Sequence, residues 1–390
     1  MKKRMLAAAL GLTVALTTSP GWAGDNLSDD VRQELKALKE QNRLLMERIG
    51  KLEKKVSETE ASQAELAEAG DSPLVLISDK VSLSGVIEVE AVTGDAFDDS
   101  DSSDIALATV ELGVDATINP WTSGHILLKY EDGASLDVDE GTITIANIDR
   151  HPLSLTAGKM YVPFGDFSSN MVSDPLTLEL GETNEDAVLV GFDKNGFYGA
   201  LYAFNGDVKE TDKDDMIRGM GANIGFGNEN LDTGIGWISN IGDSDGLTDG
   251  LTLGADDDIS GQVGGLTAHL AYSLNNFGMI AEYLTATDSF AASELAFNAQ
   301  GAKPKAWNLE LSHTTDIKGR ETTFALAYQG SDEAVALGLP ETRYLGSVAV
   351  GLMDYTSLAL EYIRDEDYAT ENGGTGNDAQ TITMQLAVEF

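Results

Sequence analysis

The C-terminal stretch TITMQLAVEF, residues 381–390, decides the fold class. Its even positions are all apolar, its odd positions are polar or small, and the chain stops on the aromatic Phe390. Strict alternation over about ten residues is typical of a transmembrane β-strand, which turns one face to lipid and the other to water. We therefore expect these residues to form the last strand of a membrane β-barrel, with Phe390 as the signal that barrel-assembly machinery reads.

The same period of two recurs along residues 71–390. Further apolar faces are Ala106/Ala108/Val110/Leu112/Val114, Met220/Ala222/Ile224/Phe226, Leu266/Ala268/Leu270/Tyr272, Trp307/Leu309/Leu311 and Leu358/Leu360/Tyr362. Seven tight turns are predicted near residues 119–121, 149–152, 193–196, 227–230, 274–276, 316–319 and 353–355. They alternate with eight longer polar stretches near 93–104, 132–140, 166–185, 205–217, 242–259, 285–305, 330–342 and 365–379.

This alternation of short and long connections predicts an all-β barrel of about 16 antiparallel strands. An even strand count places both ends of the barrel at the short-turn side, which is periplasmic in outer-membrane barrels. A soluble β-sandwich is the alternative, but it would show no such asymmetry between its two ends. The expected barrel closes because an open edge would leave unpaired backbone groups in hydrocarbon.

A barrel of 16 strands encloses an aqueous lumen rather than a packed core. The sequence predicts inward or constricting charges at Glu88, Glu90, Glu111, Asp115, Lys129, Glu131, Lys159, Asp166, Asp174, Glu179, Glu282, Glu310, Arg343 and Glu361. Acidic residues dominate this set, which favours cations over anions. Lys159 is ambiguous, since strict alternation from Leu153 and Leu155 points it to lipid unless it lies at the rim or beside a bulge.

The third long stretch, residues 166–185, differs from the other predicted loops. It follows GKMYVPFG (158–165) and contains DPLTLELGE (174–182), an apolar run that a purely solvated loop would not need. We expect this loop to fold into the pore as a constriction, and a subunit contact is the alternative.

The first 23 residues are typical of a signal peptide, with Lys2, Lys3 and Arg4 before an apolar run at 5–16 and a cleavage site after Ala23. A short membrane anchor is the alternative. Residues 24–70 contain two heptad series that predict a periplasmic coiled coil, most simply of a homotrimer. These are Leu35, Asn42, Ile49, Val56 and Val31, Leu38, Leu45, Leu52. Asn42 at an a position would fix the register, and a single amphipathic helix is the alternative.

Composition excludes several classes of function. The 390 residues contain 25 Lys and Arg against 65 Asp and Glu, a net charge of −40, which argues against nucleic-acid binding. There is no cysteine, and the four histidines are scattered singly, so we predict neither an enzyme nor a cofactor. The acidic stretches 95–104 and 256–258 could attract divalent cations, but their spacing is not that of an EF-hand, and solvated loops are the better interpretation.

Together, the export signal, the coiled coil and a barrel carrying GKMYVPFGDFSSN and SDPLTLELGET and ending in Phe390 resemble the LbtU-type siderophore porin family. This resemblance implies outer-membrane uptake of an iron–siderophore complex without the energised plug of classical receptors. Residues 157–165 also resemble phosphate-selective porins, but those need a cationic eyelet, which the acidic excess here does not match.

Three functional hypotheses remain open at this point. The chain is a passive, substrate-biased channel for a ferric siderophore, a general diffusion porin for small hydrophilic solutes, or a tether that links outer membrane and cell wall through the coiled coil. In all three the expected surroundings are outer-membrane lipid and lipopolysaccharide.

Overall fold

The computed structural model describes residues 80–213, 216–254 and 258–390. The expected signal peptide (1–23), the coiled coil (24–70) with Asn42, and the loop residues Asp256 and Asp257 lie outside the described residues. Within these described ranges no helix is long and apolar enough to cross a membrane.

Sixteen antiparallel strands form one closed barrel, which confirms the predicted fold class and strand number. These strands are β1 (Val81–Asp95), β2 (Asp101–Asn119), β3 (Thr122–Glu131), β4 (Asp137–Ala146), β5 (Leu153–Tyr161), β6 (Asn184–Lys194), β7 (Phe197–Asn205), β9 (Gly219–Gly227), β10 (Leu231–Ile238), β12 (Gly265–Leu274), β13 (Phe277–Ala286), β16 (Lys305–Ile317), β17 (Arg320–Asp332), β18 (Thr342–Met353), β19 (Thr356–Glu366) and β20 (Asp378–Glu389). Strand β1 pairs with β20 and closes the ring.

The long loops carry small elements of their own. Two-residue strands β8 (Lys209–Glu210) and β11 (Asp258–Ile259) pair with each other, as do β14 (Ala296–Phe297) and β15 (Gln300–Gly301). Short helices are α1 (Leu176–Gly181) and α2 (Asp245–Gly250), with 3₁₀ turns at Ile241–Asp243, Val335–Leu337 and Thr370–Asn372.

All seven predicted tight turns join consecutive barrel strands at one end, and the eight connections predicted as long lie at the other end. Two of these eight, residues 96–100 and 132–136, are shorter than expected because the flanking strands extend into them. Local chemistry explains the tightest turns. Asn195 and Gly196 have φ of 56° and 85°, and Lys318 and Gly319 have φ of 57° and 80°. Two successive positive φ angles give the turn whose twist matches antiparallel strands, and glycine adopts them without strain.

The outer face of the barrel is apolar, as the alternation predicts. On β20, Ile382, Met384, Leu386 and Val388 are 45%, 48%, 43% and 37% exposed, while Ala387 and Thr383 on the other face are buried. Aromatic residues lie toward both ends of this apolar band. On β13, Phe277 and Tyr283 are six residues apart, which is about 20 Å along a strand.

One predicted face is wrong on β2. The expected run from Ala106 to Val114 does not share a single face, because a bulge leaves Ala108 without a partner on β1: Thr109 pairs with Glu88 and Leu107 with Val89. The extra residue exchanges the two faces, so that Leu107 is exposed beyond the bulge.

Barrel closure explains the terminal aromatic residue. The backbone amides of Gly85 and Phe390 each donate to the other's carbonyl oxygen, at 2.9 and 3.0 Å. A side chain at position 85 would overlap the Phe390 ring, so the ring occupies the space that the glycine leaves free.

The barrel interior is not polar throughout. An apolar core fills its long-loop end against β5, β6, β7, β10, β13 and β16. Inward residues of these strands, such as Met160, Ile238 and Leu284, pack there against residues from the loops after β5, β10 and β13. The expected aqueous lumen is therefore replaced by a packed core at this end, because the loops fold inward and exclude water.

Candidate functional site: loop 3 and the pore

Loop 3 (residues 162–183) joins β5 to β6 and folds into the lumen. The loop turns into the lumen at Phe164, whose side chain is 2% exposed and packs in the apolar core. The Phe164 carbonyl oxygen accepts a hydrogen bond from the hydroxyl of Thr267. Phe167 has a φ of 52°, and its ring lies where Gly165 and Gly181 carry no side chain. The PFGDF sequence thus encodes a bend that only small residues on either side permit.

Helix α1 gives loop 3 two different faces. Pro175 precedes the helix in an extended conformation, which suits a residue that has no N–H to donate. Leu176 and Leu180 are fully buried against the barrel wall, with Thr177 beside them. Asp174 and Glu179 are exposed to the lumen. The apolar run that distinguishes this loop in the sequence therefore anchors it, while its carboxylates face the water.

Three wall glutamates accept hydrogen bonds from loop 3. Glu282 on β13 accepts from the backbone N–H of Asp166 at 3.0 Å and from the Thr177 hydroxyl at 2.9 Å. Glu310 on β16 accepts from the Asn170 N–H at 3.0 Å and from the Ser169 hydroxyl at 2.8 Å.

The third glutamate, Glu361 on β19, accepts from the backbone N–H groups of Val172 at 2.7 Å and Ser173 at 3.1 Å, and from the Ser173 hydroxyl at 2.6 Å. These three strands lie far around the barrel from β5 and β6, so loop 3 crosses the lumen to reach them.

Neutral side chains that the sequence analysis missed complete this contact. Gln329 on β17 accepts from the Leu176 N–H at 3.2 Å, and the Ser347 hydroxyl on β18 donates to the Asn170 carbonyl at 3.2 Å. Asn308 is 2% exposed beside them, and its side-chain amide has no partner, nor has the Gln329 Nε2. Their inward position on each strand was the one signal available in the sequence.

Loop 3 and the apolar core cover the inner wall from β5 round to β19, where Ser347 and Glu361 contact the loop. The remaining passage borders β1 to β4, β20 and the long-loop ends of β18 and β19, and its charged side chains are mostly acidic. Glu88 and Glu90 on β1 and Glu111 on β2 are half-buried, and Glu131 on β3 is exposed. Opposite them lies the exposed edge of loop 3, so carboxylates border the passage on both sides.

Two of the three predicted cations, Lys129 and Arg343, lie at the passage, and each is paired with a carboxylate. Lys129 lies 2.7 Å from Glu131 and stands directly opposite Glu111 in the strand register. Arg343 forms a bidentate ion pair with Asp365, with N–O distances of 2.8 and 3.0 Å. Since an ion pair contributes little net field at a distance, the excess of carboxylates over cations determines the sign of the potential.

Charged groups on loop 3 and on the barrel wall interact across the passage. Burial raises the pKa of Asp174, while Lys129 opposes that shift and Glu131 and Glu90 add to it. Burial also raises the pKa of Glu179. Burial, together with repulsion from the Asp245 carboxylate, raises the pKa of Glu182 to about 7. Loop 3 is therefore least negative in acid and gains charge through the neutral range.

The remaining predicted residues are placed as follows. Asp115 faces the lumen near the short turns, 2.8 Å from His125. Asp166 is exposed at the bend of loop 3. Lys159, whose direction the sequence leaves ambiguous, has Gly141 and Asp186 as register partners and lies on the outer strand face. Its Nζ donates to the Val138 carbonyl at 3.1 Å at the long-loop rim.

No metal site is found within the described parts of the chain, where no three His, Asp or Glu side chains are grouped to hold an ion. In and beside the acidic loop between β1 and β2, two carboxylates accept hydrogen bonds from the protein itself. Asp98 accepts from the Ser100 hydroxyl at 2.6 Å, and Asp95 accepts from the Gln380 N–H.

These features define a porin-type β-barrel, and solved structures share its fold. The outer-membrane channel DcaP of Acinetobacter baumannii superposes with a TM-score of 0.57 at 13% identity, over 80% of this chain and 97% of that one. An anion-selective porin from Comamonas acidovorans gives 0.58 at 12% identity, over 80% and 99%. Pseudomonas putida OprB gives 0.56 at 9% identity, over 83% and 97%.

In sequence, the chain is similar to UPF0422 proteins. A Legionella pneumophila (strain Philadelphia 1) protein of that description is 31% identical over 353 residues, which cover 80% of this chain and 66% of that protein. The Coxiella burnetii UPF0422 protein is 28% identical, over 77% and 67%. The chain thus spans about two thirds of the length of these relatives. No family model matches it.

Proposed function

We propose that this protein is an outer-membrane channel for the passive diffusion of small hydrophilic solutes, with a preference for cations. The observation that carries the proposal is a closed barrel with an apolar outer band, crossed inside by a loop with an acidic edge. The aromatic residues at both ends of the band support a position in a lipid bilayer, because such residues favour the two membrane interfaces.

The preference for cations follows from the charges at the passage. Asp174 and Glu179 on loop 3 face Glu88, Glu90 and Glu111 on the wall, whereas the two nearby cations are paired with carboxylates. A ring of carboxylates lowers the free energy of a cation in the pore and raises that of an anion. This acidic border differs from what an anion-selective pore needs.

Reconstitution in planar bilayers tests the proposal. The purified full-length mature protein should form water-filled channels whose reversal potential in a KCl gradient shows that K⁺ permeates better than Cl⁻. A protein that inserts but conducts no ions, or prefers Cl⁻, contradicts the proposal.

The finer proposal, that the solute is an iron–siderophore complex, is supported by the resemblance of residues 158–182 to siderophore porins. Addition of a ferric siderophore to one side of the bilayer should interrupt the ionic current, and liposomes that contain the protein should take up the iron-labelled complex. The iron-free siderophore is the matched control, and a chelate that neither blocks nor permeates rejects this solute.

The N-terminal segment enters the proposal through its heptads alone. We propose that residues 24–70 follow a cleaved signal peptide and hold three copies together in the periplasm. The Asn42 position supports a fixed register, because a buried amide at an a position penalises misaligned helices.

A further inference from the structure

The contact between loop 3 and the barrel wall is built from complementary hydrogen-bonding groups. On the loop side, residues 166–177 present only donors to the three glutamates: backbone N–H groups, hydroxyls and one side-chain amide. On the wall side, an ionised carboxylate offers acceptors only. Each hydrogen bond between the loop and the three glutamates therefore matches a donor to an acceptor.

The three glutamates are buried deeply enough for this match to be decisive. Glu282, Glu310 and Glu361 are 5%, 1% and 0% exposed, so water cannot replace a lost partner. They stand on β13, β16 and β19, and they hold three successive parts of the loop, at Asp166–Phe167, Ser169–Asn170 and Val172–Ser173, respectively. Their spacing along the wall fixes the path of the loop across the lumen.

We propose that Glu282, Glu310 and Glu361 act together as a latch whose closure sets the cross-section of the pore. They are positioning residues: they do not border the passage but hold the segment that does, including the exposed Asp174. This inference rests on the proposed channel function. It adds that loop 3 can leave the wall when the acceptor set is disrupted, which widens the passage.

An isosteric substitution tests the latch without changing side-chain volume. In Glu361→Gln, one carboxylate oxygen becomes an NH₂ group that faces the N–H or hydroxyl donors of Val172 and Ser173. Two donors then face each other in a buried place, and one group loses its partner. The same reasoning applies to Glu310→Gln, so the double variant should release the middle of the loop.

The assay is single-channel conductance of the full-length mature protein in planar bilayers. The wild type should give one main conductance level. The double variant should open to levels about twofold higher or more, because conductance grows with the free cross-section of the lumen. Glu321→Gln, on the same wall at the short-turn end of β17 and away from loop 3, is the matched control and should keep the wild-type level.

A cross-link separates release of the loop from general damage to the barrel. The chain has no cysteine, so the Ser173→Cys/Glu361→Cys variant contains the one reactive pair. Before treatment this variant should show the enlarged levels, and a short thiol-specific cross-linker should restore the wild-type conductance.

The outcomes are distinguishable. Enlarged levels in the glutamine variants, together with enlarged levels in the cysteine variant that its cross-link reverses, support the latch. Variants that fold and conduct like the wild type overturn it, and so do enlarged levels that cross-linking leaves unchanged. A wild-type protein that forms no channel refutes the proposed function instead.

Discussion

Neutralising the two exposed carboxylates of loop 3 should reduce the preference of the pore for cations. In the Asp174→Asn/Glu179→Gln variant both side chains keep their size and lose their charge. Neither carboxylate accepts a hydrogen bond that holds the loop to the wall, whereas Glu282, Glu310 and Glu361 do. The substitution therefore changes the electric potential at the passage and leaves the path of the loop intact.

Coulomb's law gives the size of the effect. A unit charge about 6 Å from a permeating ion contributes about 0.7 kcal/mol in water. Screening at 0.1 M salt, with a Debye length of about 10 Å, reduces this to about 0.4 kcal/mol. The contribution is favourable for K⁺ and unfavourable for Cl⁻, so each lost charge should lower the permeability ratio of K⁺ to Cl⁻ by about fourfold, and two by about fifteenfold.

The measurement is the reversal potential in a KCl gradient at pH 8, because burial raises the pKa of Asp174 and of Glu179 and a higher pH favours their ionised forms. Glu229→Gln, which removes one exposed charge from a short turn, is the control and should change the ratio little. In 1 M salt the Debye length is about 3 Å, and the difference between variant and wild type should almost vanish. A difference of equal size at both salt concentrations refutes the electrostatic explanation.

Three further predictions concern barrel closure, acid response and assembly. Gly85→Val should lower the stability of the barrel in detergent by about 1–3 kcal/mol, because the new side chain overlaps the Phe390 ring. The double variant Gly85→Val/Phe390→Ala should recover much of this loss. Equal stability of Gly85→Val and the wild type contradicts the prediction. Burial raises the pKa of Glu182 to about 7 and of Asp243 to about 6, so the loops around them bind protons more tightly folded than unfolded. The stability of these loops should therefore fall as pH rises from about 4 to about 7. Their amide hydrogens, after correction for intrinsic exchange rates, should exchange faster across this range. The dependence on pH should be weaker in Glu182→Gln. Deleting residues 27–69 should leave a conducting barrel and abolish trimers in sedimentation; trimers that persist refute the coiled coil, and loss of envelope integrity without loss of trimers favours the tether.

The barrel could be predicted from the sequence because its signals are local. Alternation fixes which residues of β9, β12 or β20 face lipid, and pairs such as Asn195-Gly196 mark the turns without reference to the rest of the chain. The assignment of strand faces fails where a single extra residue in a strand interrupts the alternation. The bulge at Ala108, which has no partner on β1, reverses the faces of β2, and no feature of the local sequence distinguishes this residue from its neighbours.

The latch could not be predicted because its partners are far apart in sequence. Glu310 and Glu111 are both inward glutamates on long strands, yet one holds loop 3 and is 1% exposed while the other borders the passage. What separates them is contact with residues about 140 positions away in the chain. Alternation gives the direction of a side chain, but it gives no information about which loop meets it.

Loop length supplies part of that missing information. Sixteen strands about 4.8 Å apart, tilted by about 40°, close into a barrel about 32 Å across. Loop 3 runs over residues 162–183, and at about 3.3 Å per residue it can reach about 36 Å before it must return. The loop after β7, residues 206–218, reaches about 21 Å by the same measure. Loop 3 can therefore touch the opposite wall and that loop cannot. A buried carboxylate opposite the start of such a loop is then the place to look for its attachment.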